Sequence, residues 1–271
     1  MWLQVLGVLC LLPNSLALPL PLPLPLEAGG LSEQEWKQAQ NYLKRFYPYS
    51  FRAKDENSLK SKLKEMQKFF GLPTTGILSS RVKEIMQKPR CGVPDVLNFS
   101  ISPSKAKWTS DIITYRIASY TVDLPESTVD ELVEKALDIW SEKIPIEFQR
   151  VFFEDADIVI RFTRGVHGDA YPFDGPGNTL AHAFFPGEGL GGDVHFDADE
   201  YWTNDSSTGT NFLFVATHEL GHSLGLSHSS DPNAVMYPTY KEGDMKDFGL
   251  SKDDIESIQK LYGKRPELKY P

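Results

Sequence analysis

Phe212 to His228 reads FLFVATHELGHSLGLSH, and Met236 follows eight residues later. His218 and His222 are four apart, so on a helix their imidazoles stand one turn apart on one face and can reach a single metal ion. Gly225 can adopt a positive φ, end that helix and turn the chain so that His228 supplies a third nitrogen. Three neutral nitrogens on zinc leave a fourth tetrahedral position open, the arrangement of a catalytic rather than a structural site. Glu219, beside the first histidine, is a carboxylate placed to take a proton from a water in that position. A bare HExxH recurs in unrelated helices as two solvated histidines, whereas the extended HExxHxxGxxH with a trailing methionine points to metal-dependent hydrolysis.

All six histidines of the chain lie between His167 and His228. The three outside the helix motif are His167, His182 and His195, with Asp169 two residues after the first. Three nitrogens and a carboxylate make a closed tetrahedral set, which predicts a second, structural zinc; three surface histidines are the alternative. These residues fall in a stretch from 163 to 211 that is rich in Gly and Asp and poor in periodicity, and a loop region of that length usually has a function. The same stretch holds Asp174 to Thr179 (DGPGNT), Gly189 to Asp193 (GLGGD) and Asp197 to Glu200 (DADE). Glycine turns that expose carbonyls, with carboxylates at their ends, form oxygen cages of the kind calcium prefers; plain solvated turns are the competing reading.

Pro89 to Asp95 reads PRCGVPD. Two prolines and a glycine predict an extended loop that presents the Cys91 thiol outward, unpacked. A thiolate ligates zinc at about 2.3 Å, and the helix site has one vacancy. Cys91 therefore reads as an intramolecular plug where the catalytic water belongs, with an ordinary buried cysteine as the alternative.

The elements that must hold these groups are visible as periodicity. Ser32 to Glu35 has the capping-box form and leads a helix with Trp36, Ala39, Leu43 and Phe46 on one face. A second helix is predicted from Ser58 to about Phe70, and a third from about Ser79 to Gln87, together a small three-helix bundle. Strands are predicted at Ile112 to Ile117, Ile146 to Val151 and Ile158 to Phe162, with an amphipathic helix at Ser127 to Glu142 and a last helix at about Ser251 to Tyr262. Strand, helix, strand, strand predicts an α+β fold with a mixed sheet and helices on it.

At 271 residues the chain has room for one ordinary domain and a small one. No apolar run reaches the ~18 residues of a membrane helix, so a soluble mature protein is expected. Residues 1 to 17 are mostly apolar and end in Ser15, Leu16 and Ala17, like a signal peptide, though no Lys or Arg precedes the apolar run. A cut after Ala17 removes Cys10 and leaves Cys91 as the lone thiol of a secreted protein. Leu18 to Leu26 alternates Leu and Pro, a polyproline spacer. Residues 1 to 98 carry 13 Lys and Arg against 8 Asp and Glu, whereas 99 to 271 carry 15 against 29. The acidic part argues against nucleic acid as a partner and suits cation binding and docking of the basic part. Asn98 to Ser100 and Asn204 to Ser206 fit the glycosylation pattern.

With PRCGVPD, HELGHSLGLSH and Met236 in place, the whole chain resembles the matrix metalloproteinase family, in its short form without a hemopexin domain. The resemblance implies a signal peptide (1–17), a propeptide with a cysteine switch (18–98) and a metzincin catalytic domain (99–271) with a twisted five-stranded sheet, three helices, two zincs and two or three calciums. It implies catalytic zinc on His218, His222 and His228, plugged by Cys91 in the latent form, with Glu219 as general base, and structural zinc on His167, Asp169, His182 and His195. One calcium site matches Asp174, Gly175, Gly177, Thr179, Asp197 and Glu200, and a second matches Asp157, Gly189, Gly191 and Asp193. A third would use Asp123 and Glu200 with the carbonyl of Ala198. Phe214 stands where the family's residue sets the depth of the pocket for the side chain after the scissile bond, so an aromatic there implies a preference for Leu-like residues. The substrate is expected to lie along a strand near Leu180 to Phe184.

The partners implied are extracellular-matrix and cell-surface proteins as substrates, tissue metalloproteinase inhibitors and an activating protease, with the enzyme a secreted monomer. No Arg-x-Lys/Arg-Arg run lies between Cys91 and Phe99, so activation by a secreted protease near Asn98 and Phe99 is expected. Without a hemopexin domain, efficient unwinding of fibrillar collagen is not expected. Astacin-like and adamalysin-like proteases share the long zinc motif but do not combine it with this switch. A matrix-binding module with a vestigial site is the rival from another class, and the intact Glu219 opposes it.

Overall fold

The computed structural model describes residues 32–48, 59–96, 106–153, 155–204, 208–241 and 248–266. The expected signal peptide, the Leu/Pro spacer, both domain boundaries, the activation cut and Asn98 lie outside them, as does the end of the Asn204 glycosylation pattern.

Three helices come first: α1 (Glu33–Phe46), α2 (Leu59–Phe69) and α3 (Ser80–Met86). The Ser32 hydroxyl accepts from Glu35 N at 3.2 Å while the Glu35 carboxylate accepts from Ser32 N at 2.8 Å, so the capping box forms as expected. Trp36, Ala39, Tyr42, Leu43 and Phe46 of α1 meet Leu63 and Met66 of α2 and Val82 and Ile85 of α3 in a core of their own. The short strand β1 (Arg90–Cys91) follows.

The rest runs β2 (Ile112–Ile117), α4 (Glu126–Ser141), β3 (Glu147–Arg150), β4 (Ile158–Thr163), β5 (Thr179–Ala183), β6 (Val194–Asp197), β7 (Trp202–Thr203), β8 (Thr210–Asn211), α5 (Phe212–Ser223) and α6 (Lys252–Tyr262). The main sheet has the order β1-β5-β6-β4-β2-β3, and β7 pairs with β8 in a small ribbon. All pairings in the main sheet are parallel except β5 with β6. The five strands from β2 to β6 are those the resemblance implies. The sixth, β1, comes from the basic segment and closes the free edge of β5.

The stretch from 163 to 211, expected to be poor in regular structure apart from a strand near Leu180, also holds β6, β7 and β8. The reason is burial on both faces: every residue of β5 and β6 is buried, so neither shows the alternation that marks a half-exposed strand. α5 likewise shows no polar stripe, since all its residues except Phe214 are buried, and it is the histidine spacing rather than amphipathic periodicity that marks it as a helix. It lies against α4, where Trp140 Nε1 donates to the carbonyl of Thr217 at 2.8 Å. Among the described residues no helix is long and apolar enough to cross a membrane.

Candidate metal centres and active site

Asn211 caps α5, its side-chain oxygen accepting from Phe214 N at 3.1 Å. Past the helix, Gly225 has φ +100°, and Leu226 N returns to the Gly221 carbonyl at 2.9 Å, which reverses the chain and delivers His228. Met236 is buried with its sulfur in the space that a Cβ on Gly221 would take, so the glycine of the motif is required by close packing. Asp254 of α6 holds that turn by accepting from Val235 N at 2.8 Å and Met236 N at 3.1 Å.

The three histidines are oriented by their outer nitrogens. His218 Nδ1 donates to the Val235 carbonyl and His222 Nδ1 to the Leu226 carbonyl, both at 2.6 Å, and His228 Nδ1 to the Asp95 carboxylate at 2.9 Å. That leaves each Nε2 buried without a hydrogen-bond partner. Cys91 joins them, and one ligand atom from each of the four lies within 4.8 Å of the others. Orphaned buried nitrogens facing a sulfur are a costly arrangement that a zinc ion satisfies.

The expected outward thiol needs a correction. The Cys91 sulfur accepts from Val93 N of its own loop at 3.3 Å, and the residue is only 5% exposed because β5 and the segment from Pro238 to Tyr240 close over it. On one side Arg90 N donates to the Asn178 carbonyl at 2.6 Å and Gly92 N to the Ala181 carbonyl at 2.7 Å. On the other, Cys91 N donates to the Pro238 carbonyl at 3.0 Å and Tyr240 N to the Pro89 carbonyl at 2.8 Å. A Cβ on Gly92 would stand 2.9 Å from the Thr179 methyl and 3.2 Å from the Ala181 carbonyl, so this approach requires glycine.

His167, Asp169, His182 and His195 form the second such cluster among the described residues. Asp169 Oδ2 lies 3.0 Å from His167 Nε2, 2.8 Å from His182 Nε2 and 2.8 Å from His195 Nδ1, and His182 Nε2 is 3.2 Å from His195 Nδ1. His182 comes from β5 and its register partner His195 from β6, so the antiparallel pairing creates the site.

The Matrixin family model matches residues 107–263, and a peptidoglycan binding domain model matches 32–86. The chain is 68% identical over 265 residues to matrilysin of Homo sapiens, covering 98% of each. It is 61% identical over 268 residues to matrilysin of Mus musculus, covering 99% of this chain and 100% of that one. Stromelysin-1 of Mus musculus is 52% identical over 231 residues, which are 83% of this chain and 48% of its own. The chain belongs to the matrix metalloproteinase family. It is a zinc metalloendopeptidase of that class.

In this matrixin, burial governs the protonation of the catalytic cluster. It pushes His218 down to about 3 and His222 and His228 below their ordinary range, so all three are neutral, as ligands must be. Both Glu219 oxygens are buried without a hydrogen-bond partner, and burial raises its carboxyl to about 8, with the neighbouring Cys91 thiol pulling it back down. Burial and the Glu219 charge push the Cys91 thiol up. A cation beside both groups reverses these directions. In the second cluster burial lowers His182 to about 4, while Asp169 is held at about 2 because the Tyr171 N–H and the histidines outweigh its own burial.

The calcium expectations fare unevenly in geometry. Asp174, Asp197 and Glu200 face one another round a loop in which Gly175 and Gly177 take φ +81° and +83°. Glu200 accepts from Gly177 N at 2.6 Å and Asp174 from Thr179 N at 3.2 Å, and Asp197 Oδ2 is buried with no partner. That orphaned oxygen fits a cation. In the second set Asp157 turns its carboxylate to Thr114 N and Oγ1, at 2.8 and 2.7 Å, so its main-chain carbonyl is the atom close to the Gly189 to Asp193 turn, 2.9 Å from where a Cβ on Gly192 would sit. Asp193 itself accepts from Val159 N at 3.0 Å. In the third set Asp123 accepts from Trp202 N at 3.1 Å, and the Ala198 carbonyl is taken at 2.7 Å by Arg164, which also donates to Asp199 at 2.6 Å.

Phe214, Leu180, Val215, Tyr237 and Tyr240 line a recess that reaches Cys91, His218 and Glu219. Phe214 meets the Tyr240 ring edge-on at 5.5 Å. The sequence reading assigned no role to Arg90 or Asp95, which form an ion pair at 2.5 Å with side chains 2% and 0% exposed. Two charges inside an apolar loop motif are the signal that could have singled them out.

Proposed function

We propose that the chain is a secreted, zinc- and calcium-dependent endopeptidase made as a latent zymogen and silenced by its own Cys91. The reading is carried by one observation: the Cys91 sulfur meets three inward, partnerless histidine nitrogens beside the partnerless carboxylate of Glu219. His218, His222 and His228 would hold the catalytic zinc, and His167, Asp169, His182 and His195 a structural one. Calcium would be held by Asp174, Gly175, Gly177, Thr179, Asp197 and Glu200, and by Asp157, Gly189, Gly191 and Asp193.

Bound zinc supplies Lewis-acid polarisation of the scissile carbonyl and acidifies water in the site. The chain's own groups do the rest. The free edge of β5, once β1 has left, pairs with an extended peptide by main-chain hydrogen bonds. The recess beside Phe214 takes the side chain after the scissile bond, and its aromatic wall favours Leu. Glu219 accepts the proton of the attacking water and delivers it to the leaving amine nitrogen, so no covalent enzyme intermediate is needed. Matrix and cell-surface proteins are the substrates, tissue metalloproteinase inhibitors the natural inhibitors, and a second secreted protease the activator.

The test is cleavage of a quenched fluorescent peptide with Leu after the scissile bond by the purified proform, before and after thiol modification, with and without a zinc chelator. Activity that appears only on modification and disappears with chelator is the expected result. Full activity of the unmodified proform would remove the plug, and no activity in any state with zinc bound would remove the proposed substrate reading.

A further inference from the structure

The three histidines on α5 and its following turn are not supported alike. His218 and His222 give their Nδ1 hydrogens to main-chain carbonyls of Val235 and Leu226, close by in the same half of the molecule. His228 gives its own to a carboxylate 133 residues earlier, that of Asp95, four residues after the plug cysteine. Asp95 and His228 both have side chains at 0% exposure. A carboxylate this deeply buried survives only if its oxygens are paired, and they are: Asp95 also accepts from Tyr47 Oη at 2.6 Å, from Arg90 Nη2 at 2.5 Å and from Arg90 Nη1 at 3.2 Å. The Arg90 guanidinium in turn stacks 3.6 Å above the Phe46 ring and donates to Tyr42 Oη. The chain of contacts therefore runs from the buried face of α1, through Arg90 and Asp95, to a metal-facing imidazole.

A negative acceptor behind an imidazole does two things that a neutral carbonyl does less well. It fixes the tautomer, with the hydrogen on Nδ1 and the lone pair of Nε2 facing inward, and it raises the basicity of the ligating nitrogen. We propose that Asp95 is a positioning residue for His228, a carboxylate that the propeptide lends to the catalytic site and takes away when it is removed. The zymogen then holds its catalytic metal more tightly than the active enzyme does for two reasons, the Cys91 sulfur and the strengthened His228. Activation removes both together because four residues separate them. This inference rests on the proposed zinc site and on a cut that follows Asp95.

The experiment uses full-length proform in a Glu219→Ala background, which prevents self-cleavage, loaded with zinc and carrying ¹⁵N-labelled histidine. Asp95→Ala, Asp95→Asn and Arg90→Ala are compared by the rate at which a chelator removes the catalytic zinc and by the Nδ1–H resonance of His228. Arg90→Ala breaks the same ion pair and loosens the segment but leaves His228 its acceptor. Asp95→Ala is expected to speed zinc loss roughly tenfold or more beyond Arg90→Ala, the scale of outer-shell effects on metal sites, and to shift the His228 resonance alone. Asp95→Asn, which keeps an oxygen but not the charge, is expected to fall between. Equal zinc loss in Asp95→Ala and Arg90→Ala with an unchanged His228 resonance would overturn the proposal. If Asp95→Ala does not fold, the parent is compared before and after an added protease removes the propeptide. All three histidines then lose the Cys91 sulfur but only His228 loses its Nδ1 acceptor, so the His228 Nδ1–H resonance is expected to shift well beyond those of His218 and His222, and equal shifts in all three overturn the proposal. Failure of the zinc reading is separately visible, because His218→Ala would then leave the zinc content of the proform unchanged.

Discussion

The two histidine centres use nearly the same chemistry and are built on opposite plans. The cluster of His167, Asp169, His182 and His195 draws every ligand from a span of 29 residues and finds its carboxylate two positions from its first histidine. The cluster of His218, His222 and His228 lies on one helix and turn yet is completed by a sulfur from β1 and backed by a carboxylate from the same distant segment. A site that owns all its ligands stays closed for the life of the fold. A site that borrows one can be opened by removing the lender.

The strongest way to sharpen this contrast is Glu219→Ala, which leaves both ligand sets intact. Turnover of the activated enzyme is expected to fall by about 10²–10⁴-fold, the usual worth of a general base, with zinc content unchanged by elemental analysis. Retention of most activity would show that Glu219 is not that base. Asp169→Ala should break the other centre: one zinc of two is lost and the melting temperature drops, while the Cys91 thiol stays protected from labelling. Loss of thiol protection at native temperature would mean the centres are not independent. Arg90→Ala attacks the borrowed plan by taking the ion-pair partner from a buried Asp95 carboxylate that keeps Tyr47 and His228, at a cost of at most about 3–5 kcal/mol, and faster labelling of Cys91 in the proform is the expected readout.

A smaller effect concerns the calcium loop. Burial, opposed by the Gly177 N–H but helped by Asp197, Asp174 and Asp199, raises Glu200 from 4.5 to about 7. With calcium stripped, the folded protein keeps a proton on Glu200 between those values that the unfolded chain has released, so stability should fall as pH rises through that window. Bound calcium must displace the same proton, so calcium titrations should show affinity weakening as pH drops below about 7, and Glu200→Gln should flatten both trends. The smallest effect expected is that of Phe214→Leu, which leaves both centres alone and should broaden the acceptance of long side chains after the scissile bond, read from a peptide-library profile.

Much of this was legible in the sequence where a local rule operates. The capping box at Ser32, the positive φ of Gly225 and strand β2 depend on neighbours a few residues away, and they sit where the pattern puts them. β6 was not legible because VHFD is buried on both faces and carries no alternation. The ligand types could be counted from histidine and cysteine spacing, but the burial of Cys91 could not, since it depends on Pro238 and Ala181 closing over it from two separate segments. The Asp95 contact with His228 spans 133 residues and obeys no periodicity, so only the fold reveals it.

The two-residue strand β1 has a consequence beyond the proposed latency. Sheets end in rows of unsatisfied main-chain groups, and such rows pair with whatever extended chain arrives. While β1 is in place the carbonyls of Asn178 and Ala181 are occupied and that side of the sheet is finished. If activation removes β1 as proposed, the mature molecule would be left with an unfinished margin, and the edge that receives substrate would also be open to pairing with a second copy.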